Sequence, residues 1–266
     1  MSHKIVERAN KLERDAHRLM EEKKVSEAFR SFDEAAHIYS KAGEHLPAAI
    51  CFASAASCWN IHTGWQPLKN AASRSLFAAR EALKARQFSY ARELFRDASL
   101  LYEKEGDAEK YSECFVGAQD SHLHHLWEIF FSGRNRIGIQ GLEEPVSRVK
   151  RMEALLKAVL GALSWLIWGY GEKPMRTLLS VIGVIVITAL LYQFSGQIQA
   201  SDSIRSVNFQ EALYFSTVTF ATVGYGDYLP VGWVRTVAVF EALTGIFLMP
   251  LFLIALTRRY LRIERS

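Results

Sequence analysis

Two apolar runs decide what this chain of 266 residues can become. Residues 177–194 carry no charge, and residues 236–257 carry a single acid, Glu241. As helices rising about 1.5 Å per residue, the first nearly crosses a hydrocarbon core of about 30 Å and the second is long enough to cross it. Lipid offers no partner to a bare N–H or C=O, so such runs enter a bilayer as helices. Pro174 stands where a helix can begin, because first-turn N–H groups lack partners anyway. Lys173 and Arg176 flank the first run, and Arg258, Arg259, Arg262 and Arg265 follow the second. By the positive-inside bias both basic flanks are cytoplasmic, which puts the segment between the runs on the outer side.

The rest of the chain is of another kind. Residues 1 to about 150 are charged and alanine-rich, so whole-chain averages describe neither part. A net charge of +4 gives no case for nucleic acid. Cys51, Cys58 and Cys114 all lie in this polar part and show no metal-finger spacing, which suits small buried hydrophobes in a reducing compartment. Met1–Arg8 has no apolar core, so a cleaved signal peptide is not expected there. From Ile5 to about Leu126 the periodicity is helical. Ala28, Phe32, Ala35 and Tyr39 recur as Ala91, Phe95, Ala98 and Tyr102, a constant offset that also relates Gly43 to Gly106, Cys51 to Cys114 and Ala55 to Ala118. This is an internal repeat, with Gly43 and Gly106 as helix terminators. The lettering resembles the tetratricopeptide-like solenoids, and more specifically the soluble NSF-attachment-protein type. That resemblance implies a surface for a peptide or protein partner. A repeat of three helices, however, does not divide into helix pairs. His122, His124 and His125 lack an acidic or cysteine partner at ligand spacing, so no metal site is expected.

Between the apolar runs, residues 208–220 have the pattern of a short amphipathic helix. Asn208 and Glu211 stand at capping-box spacing. Thr222-Val223-Gly224-Tyr225-Gly226-Asp227 follows. Here the chain resembles the two-transmembrane potassium-channel family, whose signature has these six letters, and the likeness extends over roughly residues 174–260. The resemblance implies a homotetramer in a cell membrane that conducts K⁺ passively, without catalytic residues or a cofactor. K⁺ would be bound at Thr222, Val223, Gly224 and Tyr225, with Gly226 completing the filter. The chemistry requires such letters: a dehydrated K⁺ needs a cage of oxygens, and pointing successive carbonyls at one axis takes alternate left-handed residues, which glycine adopts freely. Val223 and Tyr225 then face away from the axis. The resemblance further implies that Tyr214 and Asp227 brace the filter and that Gly245 and Pro250 serve gating. Glu241, an acid within a span, needs a partner: it is expected to face the back of the short helix and accept from hydroxyls there such as Thr217 or Thr219, or else to be protonated.

The expectation is therefore an all-α membrane protein: an N-terminal α-solenoid and a two-transmembrane-helix potassium-channel pore with a re-entrant pore helix. Its parts are a cytoplasmic helical-repeat domain over 1–130, a linker over 131–151, an interfacial helix over 152–172 and a pore domain over 174–260. Within the last, the spans are 175–194 and 233–257 and the pore helix with its filter is 208–227. Both termini are expected in the cytoplasm. Residues 152–170 are also open to reading as a third span, although Lys157 and the terminal Trp165, Trp168 and Tyr170 suit an interface better. Gly169-Tyr170-Gly171 lacks the preceding Thr-Val and is read as a turn. With no arginine-rich span there is no voltage sensor of the usual kind, so regulation is expected from the N-terminal side. A membrane-anchored repeat scaffold and a non-selective cation channel stay open as alternatives.

Overall fold

The alanine and aromatic spacing of the first half produces six helices that pack in chain order, each against its sequence neighbours. They are α1 (Ser2–Glu21), α2 (Val25–Ala42), α3 (His45–Ile61), α4 (Pro67–Lys84), α5 (Phe88–Glu105) and α6 (Ala108–Ser132). The computed structural model describes residues 2–61, 66–137, 142–200, 203–205 and 207–263. The chain divides into two compact units, with the boundary between Ala162 and Leu163 and the second running to Leu261.

The sequence repeat is a repeat of structure down to its hydrogen bonds. Helices α2 and α5 are both 18 residues long and stand at the repeat offset. Each ends on a left-handed glycine, Gly43 at φ 83° and Gly106 at φ 78°. The residue after each glycine returns its N–H to a tyrosine carbonyl, Glu44 to Tyr39 and Asp107 to Tyr102. Such C-caps satisfy carbonyls that the helix end leaves open. The preceding turns also correspond, with Lys23 at φ 61° and Arg86 at φ 57°. Ala28, Phe32, Ala35, Tyr39 and Cys51 are buried, as are their counterparts Ala91, Phe95, Ala98, Tyr102 and Cys114. Three helices do make one repeat, so α2 and α5, equivalent in sequence, fall at even and odd places in the stack.

One polar tie has no repeat counterpart. The buried Glu81 of α4 accepts from Ser40 of α2 at 3.1 Å and from Lys84 at 2.7 Å, and its other oxygen lies 2.7 Å from His45 Nδ1 on α3. Burial works to raise its pKa, but these partners together hold it below the usual carboxylate range. Arg74 grips Asp33 through two bonds of 3.0 and 3.2 Å and lies over the Phe29 ring.

The glycine-rich stretch expected as a linker holds an antiparallel hairpin. Strand β1 (Arg134–Ile137) pairs with β2 (Leu142–Pro145), and Arg134 and Arg136, two apart and on one face, both bind Glu143 at 2.7 and 2.9 Å. Residues 138–141, between them, lie outside the described residues. Helix α7 (Arg148–Trp168) follows. Its Ala154 and Ala158 are buried against Leu123, Leu126 and Trp127 of α6, and Arg151 donates twice to the Phe130 carbonyl.

The second unit is built on α8 (Pro174–Ser195), the short α9 (Phe209–Phe220) and α10 (Val234–Ile263). Gly169-Tyr170-Gly171 is a turn with three successive left-handed residues ahead of α8. Arg176 caps the end of α7 by donating to the Trp165 carbonyl, with its guanidinium 4.6 Å from that ring. Helices α7, α8 and α10 are each long and apolar enough to cross a membrane, by length and composition. Three strands, β3 (Ile198–Ala200), β4 (Ser203–Arg205) and β5 (Tyr228–Pro230), make an antiparallel sheet in the order β4-β3-β5. The side chains of Arg258, Arg259 and Arg262, and all of Arg265, lie outside the described residues.

Candidate functional site

Asn208 starts α9 with a full capping box: its side chain accepts from the Glu211 N–H at 2.8 Å, and Glu211 accepts from the Asn208 N–H at 2.9 Å. Two orphan donors are satisfied and a carboxylate is placed at the positive helix end. At the other end, the amides of Ala221, Thr222 and Val223 stay bonded to carbonyls of α9, those of Thr217, Thr219 and Val218. The helix C-terminus thus runs straight into the signature loop.

In that loop Thr222, Gly224 and Gly226 have φ of 56°, 57° and 81°, while Val223 and Tyr225 between them do not have positive φ. Every second residue is left-handed. Consecutive left-handed residues, as at 169–171, close a turn, whereas an alternating pattern extends the ribbon and turns its carbonyls to one side. Sequence reasoning assigned the two glycines to this pattern and missed Thr222. A β-branched residue at positive φ is an outlier costing about 1–3 kcal/mol, the kind of strain that clusters at functional sites. Within one chain, Val223 and Tyr225 are exposed.

Beyond the loop, β5 pairs with β3, with Tyr228 opposite Ala200 and Pro230 opposite Ile198. This sheet ties the chain just after Asp227 to the end of α8, through a fully buried Ile198. Tyr214 has the Asp227 carboxylate as the polar neighbour of its hydroxyl, and its ring meets Tyr228 edge-on at 5.9 Å. Tyr228 donates to Glu211 at 3.4 Å.

Glu241 of α10 is 2% exposed. Its Oε1 accepts from Ser216 of α9 at 2.5 Å and from Thr188 of α8 at 2.6 Å, and its Oε2 accepts from Tyr192 of α8 at 2.5 Å. The acid does face the short helix, but through Ser216 rather than Thr217 or Thr219. Thr217 spends its hydroxyl on the Leu213 carbonyl. The signal for the α8 partners was available: Thr188 and Tyr192, four apart in an apolar run, share one helix face. Ser216 and Thr188 also have α8 carbonyls in reach, Ile185 at 2.9 Å and Val184 at 2.8 Å.

Gly245, one turn beyond Glu241, touches α9. A Cβ there would overlap the carbonyl oxygen of Phe220. Pro250 lies inside α10, which continues through it. Among the described residues, no group of three or more His, Cys, Asp or Glu side chains could hold a metal ion.

Comparison with known proteins adds one match, and neither the curated proteins nor the solved structures gave any. Residues 177–262, which take in most of α8, the sheet, α9, the signature loop and nearly all of α10, match the family model described as "Ion channel".

Proposed function

We propose that the chain is a subunit of a homotetrameric potassium-selective channel. The observation that carries this is the alternation of left-handed residues at 222, 224 and 226, directly after a capped short helix and between two spans. One chain offers a single ribbon of carbonyls. A cage for a dehydrated K⁺ needs several such ribbons around an axis, and four satisfy its coordination. The backbone oxygens of Thr222, Val223, Gly224 and Tyr225 bind K⁺, with the Thr222 hydroxyl at the inner end. The short helix directs the negative end of its dipole inward, which favours a cation. Asp227 and Tyr214 brace the filter, and Pro250, which removes a main-chain bond to Ile246, supplies a bend for gating.

The tetramer sits in the cell membrane with both termini in the cytoplasm. Helix α7 lies at the interface. Its first half is committed to α6, and the remaining stretch, residues 159–168, reaches only about 15 Å, half of a hydrocarbon core of ~30 Å. The helical repeats are of the tetratricopeptide-like kind and bind a peptide or protein partner that regulates the pore.

The test is K⁺ flux into liposomes holding the purified protein, with reversal potentials in K⁺ and Na⁺. A reversal potential that follows the K⁺ gradient is the expected result. One that follows both cations equally makes the pore non-selective. No flux from a correctly assembled protein leaves a membrane-anchored scaffold.

A further inference from the structure

We propose that Glu241 is a positioning residue: its buried carboxylate ties α9 to α8 and α10 of the same chain and so keeps the signature loop in its conducting shape. This deepens the reading of residues 222–226 as a K⁺ filter, although the tie itself rests on geometry alone.

A carboxylate removed from water is costly unless hydrogen bonds replace its hydration. Glu241 has three hydroxyl donors on two other helices. An apolar side chain of similar size would fill the space without fixing any helix relative to the next, because apolar contacts are non-directional. Three short bonds to one carboxylate fix the register of all three helices. Hydrogen bonds to a charged acceptor are also about twice as strong as neutral ones.

The tie reaches the loop by a short route. Glu241 and Gly245 are four apart on one face of α10, and Ser216 and Phe220 are four apart on one face of α9. The two faces meet twice, through the Glu241–Ser216 bond and through the approach of Gly245 to the Phe220 carbonyl. Thr222, the strained first residue of the loop, follows Phe220 by two positions. A shift of α9 along α10 therefore acts directly on the residue whose conformation is least able to hold itself. Among the described residues, the ionisable group facing the carboxylate from α8 is Tyr192, and from α9 it accepts from the Ser216 hydroxyl.

The test uses the full-length chain with Glu241→Ala, Glu241→Gln, Ser216→Ala and the double variant Glu241→Ala with Ser216→Ala. Two readouts are taken: amide hydrogen exchange, and the decay of K⁺ current during sustained opening. Glu241→Ala is expected to raise exchange over residues 212–223 by about tenfold, the effect of losing a charge-assisted hydrogen bond, and to speed current decay. Helices α1–α6 should be unchanged. Glu241→Gln should recover much of the loss, since its amide oxygen accepts from Ser216 and Thr188 while its NH₂ donates to the Tyr192 oxygen. Ser216→Ala should add little to Glu241→Ala, because the bond it removes is already lost in that variant. Unchanged exchange over 212–223 would overturn the proposal, and so would a rise spread evenly over the chain without recovery by Gln. Should the parent protein carry no K⁺ current, the channel reading fails while the exchange measurement still decides the tie.

Discussion

Thr222, Gly224 and Gly226 hold three left-handed positions, and they differ in what they can tolerate. Gly226, at φ 81°, has nothing of its own chain within 4 Å of where a Cβ would sit, so within one chain its requirement is conformational. Gly226→Ala costs about 1–2 kcal/mol in each chain and is expected to abolish the preference for K⁺ over Na⁺, read as a reversal-potential shift. Wild-type preference in that variant would sink the filter assignment. Gly245 is the opposite case, with no positive φ but no room. Its alanine variant must push the Phe220 carbonyl away at about 1–3 kcal/mol, the range for overpacking. Gly245→Ala is therefore expected to lower tetramer yield and disturb permeation. A change in open probability alone, with normal selectivity and yield, would favour a hinge. The cysteines were readable from composition. Burial pushes the thiols of Cys51 and Cys114 up to about 12, so the nucleophilic thiolate is scarce at neutral pH. Both should resist alkylation in the folded protein and react once urea opens it.

At the scale of elements, what was legible had a local cause. The capping box and the two glycine caps each depend on residues a few positions apart, and the repeat copies its letters at a constant offset, so each leaves its mark in the chain. Asn208→Ala should destabilise α9 by about 0.5–2 kcal/mol, seen as faster exchange of its first-turn amides. The sheet β4-β3-β5 was not legible. Its strands are three residues long, too short for an alternation to show, and β3 finds β5 only across the whole of α9 and the signature loop. The partners of Glu241 were missed for a related reason, since which of Ser216, Thr217 and Thr219 meets it depends on how α9 rotates against α10. One of the α6 histidines, His122, bears on stability. His122 accepts from the Arg92 guanidinium at 3.2 Å through Nδ1, which requires a neutral ring, and burial first, then the Arg92 charge, pushes its pKa down to about 4. An unfolded histidine takes up a proton near 6.5, before the folded one does. Stability from this site is thus full at neutral pH and falls as pH drops from about 6.5 towards about 4. His122→Gln should flatten that acid sensitivity, measured as exchange protection of α5 and α6 across the same range.

For the whole molecule, the question is what the helical repeats do for the channel segment. They account for about half of the chain, and the family match begins only at residue 177. Helix α7 belongs to both units: Ala154 and Ala158 are packed on α6, and the carbonyl of Trp165 is held by Arg176 at the start of α8. A continuous helix transmits displacement well, because every turn is fixed by hydrogen bonds to the next. A partner that binds the repeats more tightly in one arrangement would shift the channel between states by that difference in affinity, and by no more. The alternative is a domain that assembles the proposed tetramer or anchors it to a partner, with no effect on opening. Deleting residues 2–130 while keeping α7 separates the two. That deletion exposes the alanine face of α7, so Ala154→Ser and Ala158→Ser would be added to keep the shortened chain soluble. Regulation predicts tetramers of normal yield whose open probability has moved, and whose response to cell extract is gone. Tetramers with unaltered gating, with and without extract, would remove regulation, and a loss of tetramers restored by fusing an unrelated tetrameric coiled coil would assign the repeats to assembly.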